Sequence, residues 1–259
     1  MIDTHSHIYS EEFDADRNEA IRRAKEAGIR HIILPNVDSE SLPRMLALEA
    51  EYPGYCHAAI GLHPTSVNEN YEDELKLVKS ELDRRDYIAI GEIGIDLYWD
   101  KTFLGAQIKA FQQQLDWALD YNLPVIIHVR DSFRETMDAL APYKDRKLTG
   151  VFHSFTGSME EAQEMIDFGG FKIGINGIVT FKNSGLSSVV AQTGIEHIIL
   201  ETDSPYLTPV PYRGKRNESA YLSYICEQIS KTLNLSKQEI AEKTTENALK
   251  LFTKLLKSQ

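Results

Sequence analysis

Eight short runs of apolar, largely β-branched residues, each followed by a stretch of helical periodicity, leave this chain few folds to choose from. The runs lie at 2–7, 29–37, 56–63, 87–94, 124–130, 148–155, 171–178 and 197–203, bounded by turn residues and of strand length. Helical patterning covers 12–27, 39–51, 69–84, 104–121, 132–141, 159–168 and 186–193, with two further helices expected at 218–233 and 237–256. Strands that alternate with helices in this way become neighbours in a parallel sheet. Eight such units in 259 residues match a closed barrel, which needs about 250. The predicted fold class is therefore α/β, a TIM (β/α)8 barrel with an additional C-terminal helix. An open doubly wound sheet is the alternative, but no Gly-X-Gly-X-X-Gly turn follows the first run.

Local signals agree with this division. Ser158 with Glu161 and Ser236 with Glu239 fit capping boxes, while Gly28, Gly169 and Gly194 fit helix stops. The segment from Gly28 to Leu34 is echoed from Gly194 to Leu200, as if one structural joint were used twice. No linker rich in Pro, Gly or Ser interrupts the pattern, so residues 1–259 are expected to form a single domain. With 42% hydrophobic and 26% charged residues, the chain can bury a sizeable core. Cys56 and Cys226 make no disulfide framework, no apolar window is long enough to cross a bilayer, and no leader precedes the first strand. These features lead us to expect a cytoplasmic protein without a membrane or an obligate protein partner. A net charge of −11 argues against indiscriminate coating of nucleic acid, though not against a local basic patch or bound cations.

Catalytic groups of such barrels come from the C-terminal strand ends, which sorts the eight histidines. His5, His7, His63, His128 and His153 fall there, whereas His31, His57 and His197 fall at strand starts and are expected to be strand-entry or packing residues. Glu92, Asp96 and Asp203 join the first group. His5 and His7 are two apart on an extended segment and point to one side. A carboxylate or imidazole that follows runs such as Tyr87–Ile90 or Val125–Ile127 is costly to bury alone. Four histidines and two carboxylates on strands one, four, five, six and eight can instead enclose two divalent ions, one carboxylate bridging.

The chain resembles the TatD-type deoxyribonucleases, metal-dependent hydrolases of the amidohydrolase superfamily. The resemblance rests on the His-X-His opening, Gly61–Pro64, Gly91–Asp96, His128–Asp131, Val151–Ser158, Gly174–Lys182, Glu201–Leu207 and Pro209–Glu218. It departs from the family in having Ser154 for a frequent Cys and Ile95 for a frequent Leu, neither at a ligand position. Residue by residue, it implies that His5 and His7 hold one metal, completed by Asp203. Glu92 bridges or supports both ions, and His128 and His153 hold the second.

The expected activity is hydrolysis of phosphodiester bonds, with single-stranded DNA trimmed from its 3′ end as the resemblance suggests. Asp203 is the candidate for moving the proton during attack and departure, and Glu92 acts with it. His63 and Arg130 stand where they could hold a phosphate oxygen, although Arg130 could equally pair with Asp131 or Asp96. After the eighth strand, Tyr206, Tyr212, Arg213, Lys215 and Arg216 interleave rings with cations, as single-strand binders do. A Pro-stiffened loop with solvated charges has the same composition. Tyr98 and Trp99 could add a stacking surface or a lid, and Trp117 is expected in the core. A small-molecule amidohydrolase or esterase using the same metals is the alternative function, which the acidic total charge favours. A metal-stabilised binding protein is a third, disfavoured because no ligand position carries an inert residue. Imidazole-rich ligation suits zinc, manganese or iron better than magnesium, the ion commonly used by nucleases.

Overall fold

The structure, a computed structural model, describes residues 1–258. The apolar runs form parallel ladders in sequence order. β1 (Ile2–Asp3), β2 (His31–Pro35) and β3 (Cys56–Ala59) make one set. β4 (Ile90–Asp96), β5 (Val125–Arg130), β6 (Gly150–Phe152), β7 (Phe171–Ile175) and β8 (Ile198–Leu200) make the other. Backbone hydrogen bonds close both seams. Between β3 and β4, Ile60 N donates to Ala89 O at 3.2 Å and Gly91 N to Ile60 O at 2.9 Å. Between β1 and β8, Thr4 N donates to Leu200 O at 3.1 Å, Asp203 N to His5 O at 2.9 Å and His7 N to Ser204 O at 2.7 Å. The predicted TIM barrel is thus the observed architecture.

The ladders are shorter than the apolar runs, most of all at β1 and β6, and the chain beyond the strands leaves regular pairing to aim side chains inward. Asp203 does so from a left-handed backbone, φ 55°, a region that Asp tolerates better than most residues. Outside the barrel lie α1 (Arg17–Glu26), α2 (Leu42–Glu51), α3 (Tyr71–Arg84), α4 (Leu104–Asp120), α5 (Phe133–Leu140), α6 (Met159–Phe168), α7 (Leu186–Thr193) and α8 (Leu222–Leu233). Both capping boxes form, at the starts of α6 and of α9 (Lys237–Leu251). The sequence echo is a shared joint. Gly28 (φ 80°) and Gly194 (φ 85°) each turn the chain out of a helix and toward a strand, a conformation that costs glycine little.

Two expected helices end differently. The helix expected at 12–27 splits into a 3-10 turn at Glu11–Phe13 and α1. The Arg17 guanidinium holds the break by donating to the carbonyls of Ile8, Tyr9 and Ser10 at 3.0, 3.1 and 2.8 Å. At the other end, α9 stops at Leu251 and a 3-10 turn runs from Thr253 to Ser258. That turn explains the extra helix. Phe252 and Leu255 are fully buried against Ile2, Ile33, Ile88, Ile126, Val151 and Ile199, so α9 and its extension plug the N-terminal mouth of the barrel. Each such side chain contributes about 1.5–3 kcal/mol of burial.

Strand alternation then carries the inner face from apolar to polar. Ile126 is followed two residues on by His128, Val151 by His153, and Ile199 by Glu201. β7 contributes Gly174 at this level, where a Cβ would stand 2.4 Å from the Glu201 carboxylate.

Candidate metal centre

Glu92 occupies the middle of the C-terminal mouth. Its two carboxylate oxygens face two groups of histidines. Oε2 lies 3.0 Å from His5 Nε2 and 3.5 Å from His7 Nε2. Oε1 lies 2.8 Å from His128 Nδ1, 3.3 Å from His63 Nε2 and 3.5 Å from His153 Nε2. Asp203 Oδ1 closes the first group, 3.7 Å from His5 Nε2 and 3.8 Å from His7 Nε2. Among the described residues, three sets bring ligand atoms within 4.8 Å of one another: His5, His7 and Asp203; His5, Glu92 and His153; His63, Glu92 and His128.

These spacings fit metal ligation. Ligands held tetrahedrally about 2.1 Å from one ion stand about 3.4 Å apart. The separations among His5, His7, Glu92 and Asp203 are 3.0–3.8 Å. Two imidazole nitrogens 3.1 Å apart, both facing carboxylate oxygens, need protons or a cation between them. Outer partners also set which nitrogen is free. Tyr9 donates its hydroxyl to Pro35 O at 2.6 Å and so accepts from His7 Nδ1 at 2.8 Å, leaving Nε2 as the donor atom. Asp96 Oδ2, 2.8 Å from His128 Nε2, leaves Nδ1 turned to Glu92, and Glu201 Oε1 lies 3.0 Å from His153 Nδ1.

The family described as TatD related DNase matches residues 2–253. The chain belongs to this family. It is 38% identical over 253 residues to an uncharacterized metal-dependent hydrolase, YabD, of Bacillus subtilis, covering 97% of this chain and 98% of that one. It is 31% identical over 258 residues to the 3′-5′ ssDNA/RNA exonuclease TatD of Yersinia pseudotuberculosis, covering 97% and 99%. The crystal structure of the TatD homologue YjjV of Escherichia coli superposes with a TM-score of 0.91 at 31% identity, covering 98% of each chain. The protein is therefore a TatD-family, metal-dependent hydrolase of ester bonds.

Electrostatics in this TatD-family site follow from burial set against opposite charge. Burial pushes the Glu92 carboxyl up, but the imidazoles of His5, His63, His153 and His128 outweigh it and hold the group well below the usual carboxylate range. For Asp203 burial wins over His153 and His7, and the carboxyl is pushed up to about 6. Burial lowers the His5 imidazole, reinforced by the neighbouring His153 ring stacked at 3.5 Å. Burial also opposes charge on His153, but Glu201, Glu92 and Asp203 raise it to about 10.

All six sequence-expected ligands, His5, His7, Glu92, His128, His153 and Asp203, meet in this one cavity. His63, expected only to touch substrate, stands at ligand distance as well. The other substrate-side residues lie around the mouth. Arg130 is exposed and meets rings rather than a carboxylate, its guanidinium 3.8 Å from the Tyr98 centroid and 5.3 Å from that of Trp99. Tyr206 stands with its ring 6.4 Å from that of His7. Arg213 lies over Phe181 at 4.1 Å and Lys215 is 5.8 Å from the Tyr212 ring, both exposed. Two members of the loop are structural. Arg216 donates to both oxygens of Asp16 at 2.6 and 2.9 Å, and Tyr212 stacks on Tyr221 at 4.6 Å. Asn217 pins the loop by donating to Thr202 O and Tyr206 O.

The roles of Tyr9 and Glu201 escaped the sequence reading, although a signal existed. Tyr9 continues the alternation of His5 and His7, and Glu201 that of Ile199. Asp3 follows the same pattern at the seam, where it accepts from Thr202 N at 2.9 Å and Thr202 Oγ1 at 2.7 Å.

Proposed function

We propose that the protein is a two-metal exonuclease that removes nucleotides from the 3′ end of single-stranded DNA. The observation that carries this reading is the shared Glu92, whose two oxygens face separate histidine groups beneath a mouth rimmed by exposed rings and cations. His5, His7 and Asp203 would hold one ion, His128 and His153 the other, with Glu92 between them and His63 at the second ion or on a phosphate oxygen. Zinc, manganese and magnesium are the ions to test, the first two favoured by the imidazoles. Two divalent cations held there supply an activated water and neutralise charge on the phosphoryl oxygens.

The chain's own groups would do the rest. Asp203, whose Oδ1 closes the first histidine group, would take a proton from the attacking water and return it to the leaving oxygen. Arg130, Arg213 and Lys215 supply positive charge for the phosphates of an entering strand, and Tyr206 a ring beside His7. The Yersinia relative's description as a ssDNA/RNA exonuclease supports the substrate class.

The test is incubation of metal-stripped protein with end-labelled single-stranded DNA, restoring zinc, manganese or magnesium in turn. Cleavage that returns with at least one ion, removes the label progressively from the 3′ end, and disappears in His128→Ala is the expected outcome. Failure of every ion to restore cleavage, together with turnover of a small ester or amide, would replace the nuclease with the small-molecule hydrolase.

A further inference from the structure

We propose that Tyr98, Trp99 and Arg130 form a shelf on which a base of the substrate stacks, and that Asp96 is the positioning residue tying this shelf to His128. The shelf rests on the nuclease reading; the Asp96 tie does not. Trp99 is 70% exposed and Tyr98 53% exposed, among the most exposed large apolar side chains of the molecule. They are not loose. Asp96 and Arg130 are register partners at the ends of β4 and β5, which sets the guanidinium over the Tyr98 ring. The two rings meet edge to face, centroids 4.9 Å apart at 90°. Together they present an aromatic face beside a cation, the combination that holds an unpaired base and its phosphate without reading sequence.

Asp96 is buried, and each of its oxygens has a separate task. Oδ1 accepts from the backbone N–H of Tyr98 at 3.0 Å and of Trp99 at 3.4 Å, shaping the turn that carries the rings. Oδ2 lies 2.8 Å from His128 Nε2. Gln107 fixes the backbone at the same point, Oε1 accepting from Asp96 N and Nε2 donating to Asp96 O. One carboxylate thus spans a candidate ligand and the surface that would receive a base. An amide in its place keeps one acceptor oxygen and puts an N–H donor where the other stood, so Asp96→Asn cannot both shape the turn and accept from His128 Nε2.

The experiment follows the fluorescence of the intact protein, stripped of metal and then loaded with zinc, with acrylamide as quencher. Trp99→Phe removes the exposed signal and leaves that of buried Trp117 as the baseline. Zinc is expected to reduce quenching of Trp99 in the wild type, and Asp96→Asn, checked for zinc content, is expected to lose that change. An equal zinc response in Asp96→Asn would overturn the tie. With single-stranded DNA, Trp99→Ala should raise KM about tenfold, in the range expected for one stacked base, whereas Asp96→Asn should also lower kcat. Arg130→Leu, at an exposed position, should raise KM as Trp99→Ala does. Unchanged KM in both overturns the shelf. If the wild type cleaves no DNA with any ion, the nuclease reading and the shelf fall together, while the quenching measurement still decides the tie.

Discussion

The two ends of the barrel use histidine in opposite ways. At the C-terminal mouth, His5, His7, His63, His128 and His153 gather around carboxylates. At the N-terminal end, His31 and His57 face each other, Nδ1 to Nε2 at 3.0 Å. Burial acts on both sets and lowers His5 and His63 even at the mouth, but at His153 the facing carboxylates reverse it. Glu201, Glu92 and Asp203 raise His153 to about 10 against burial, whereas burial and His31 lower His57 to about 4. A histidine in a barrel is therefore a candidate ligand by virtue of the acidic groups around it, not by burial.

If the N-terminal end serves stability alone, Phe252→Ala should cost about 3–5 kcal/mol in urea unfolding, as expected for a fully buried ring. Its metal content should not change. A matching loss of bound metal would break the separation of the two ends.

His153 at the mouth and His57 at the far end should titrate in opposite directions in the metal-free protein. His57, lowered to about 4, contributes stability that is present above its unfolded value of about 6.5 and lost as pH falls toward 4. That loss amounts to as much as about 3 kcal/mol. His153, raised to about 10, contributes stability that is present below about 6.5 and lost as pH rises toward 10. Urea midpoints measured across this range should fall on both sides. His57→Gln should flatten the acid limb only; flattening of the alkaline limb instead would reverse the assignment.

A smaller effect separates ligands from their supports. Glu201→Gln leaves the candidate ligands in place but removes the charge facing His153 Nδ1, and should weaken metal binding about 10–100-fold. Competition with a chelating dye reads the change. No change would make Glu201 a packing residue beside Gly174.

Much of this contrast was legible in the sequence, because spacing and position along a strand decide which way a side chain faces. His5 and His7, Glu92, His128 and His153 were placed by that rule, as were His31 and His57 at the far end. The capping boxes at Ser158 and Ser236 were legible because they are local. What was missed depended on contacts distant in sequence. Arg17 breaks the expected helix at 12–27 by reaching the carbonyls of residues 8–10. Arg216, expected at the mouth, is drawn away by Asp16 from a segment 200 residues earlier. The plug at Phe252 follows a helix whose amphipathic pattern gives no sign that it covers a barrel end. Ligand distance at His63 depends on its meeting Glu92 and His128 across neighbouring strands.

Glu92 between two histidine groups is the centre of this account. The direct measurement is the metal content of zinc-reconstituted protein after gel filtration, wild type against Glu92→Gln, with His57→Gln as the control. About two equivalents per chain in the wild type and in His57→Gln, and fewer than one in Glu92→Gln, are expected of a carboxylate shared by both ions. Two equivalents retained in Glu92→Gln would contradict it.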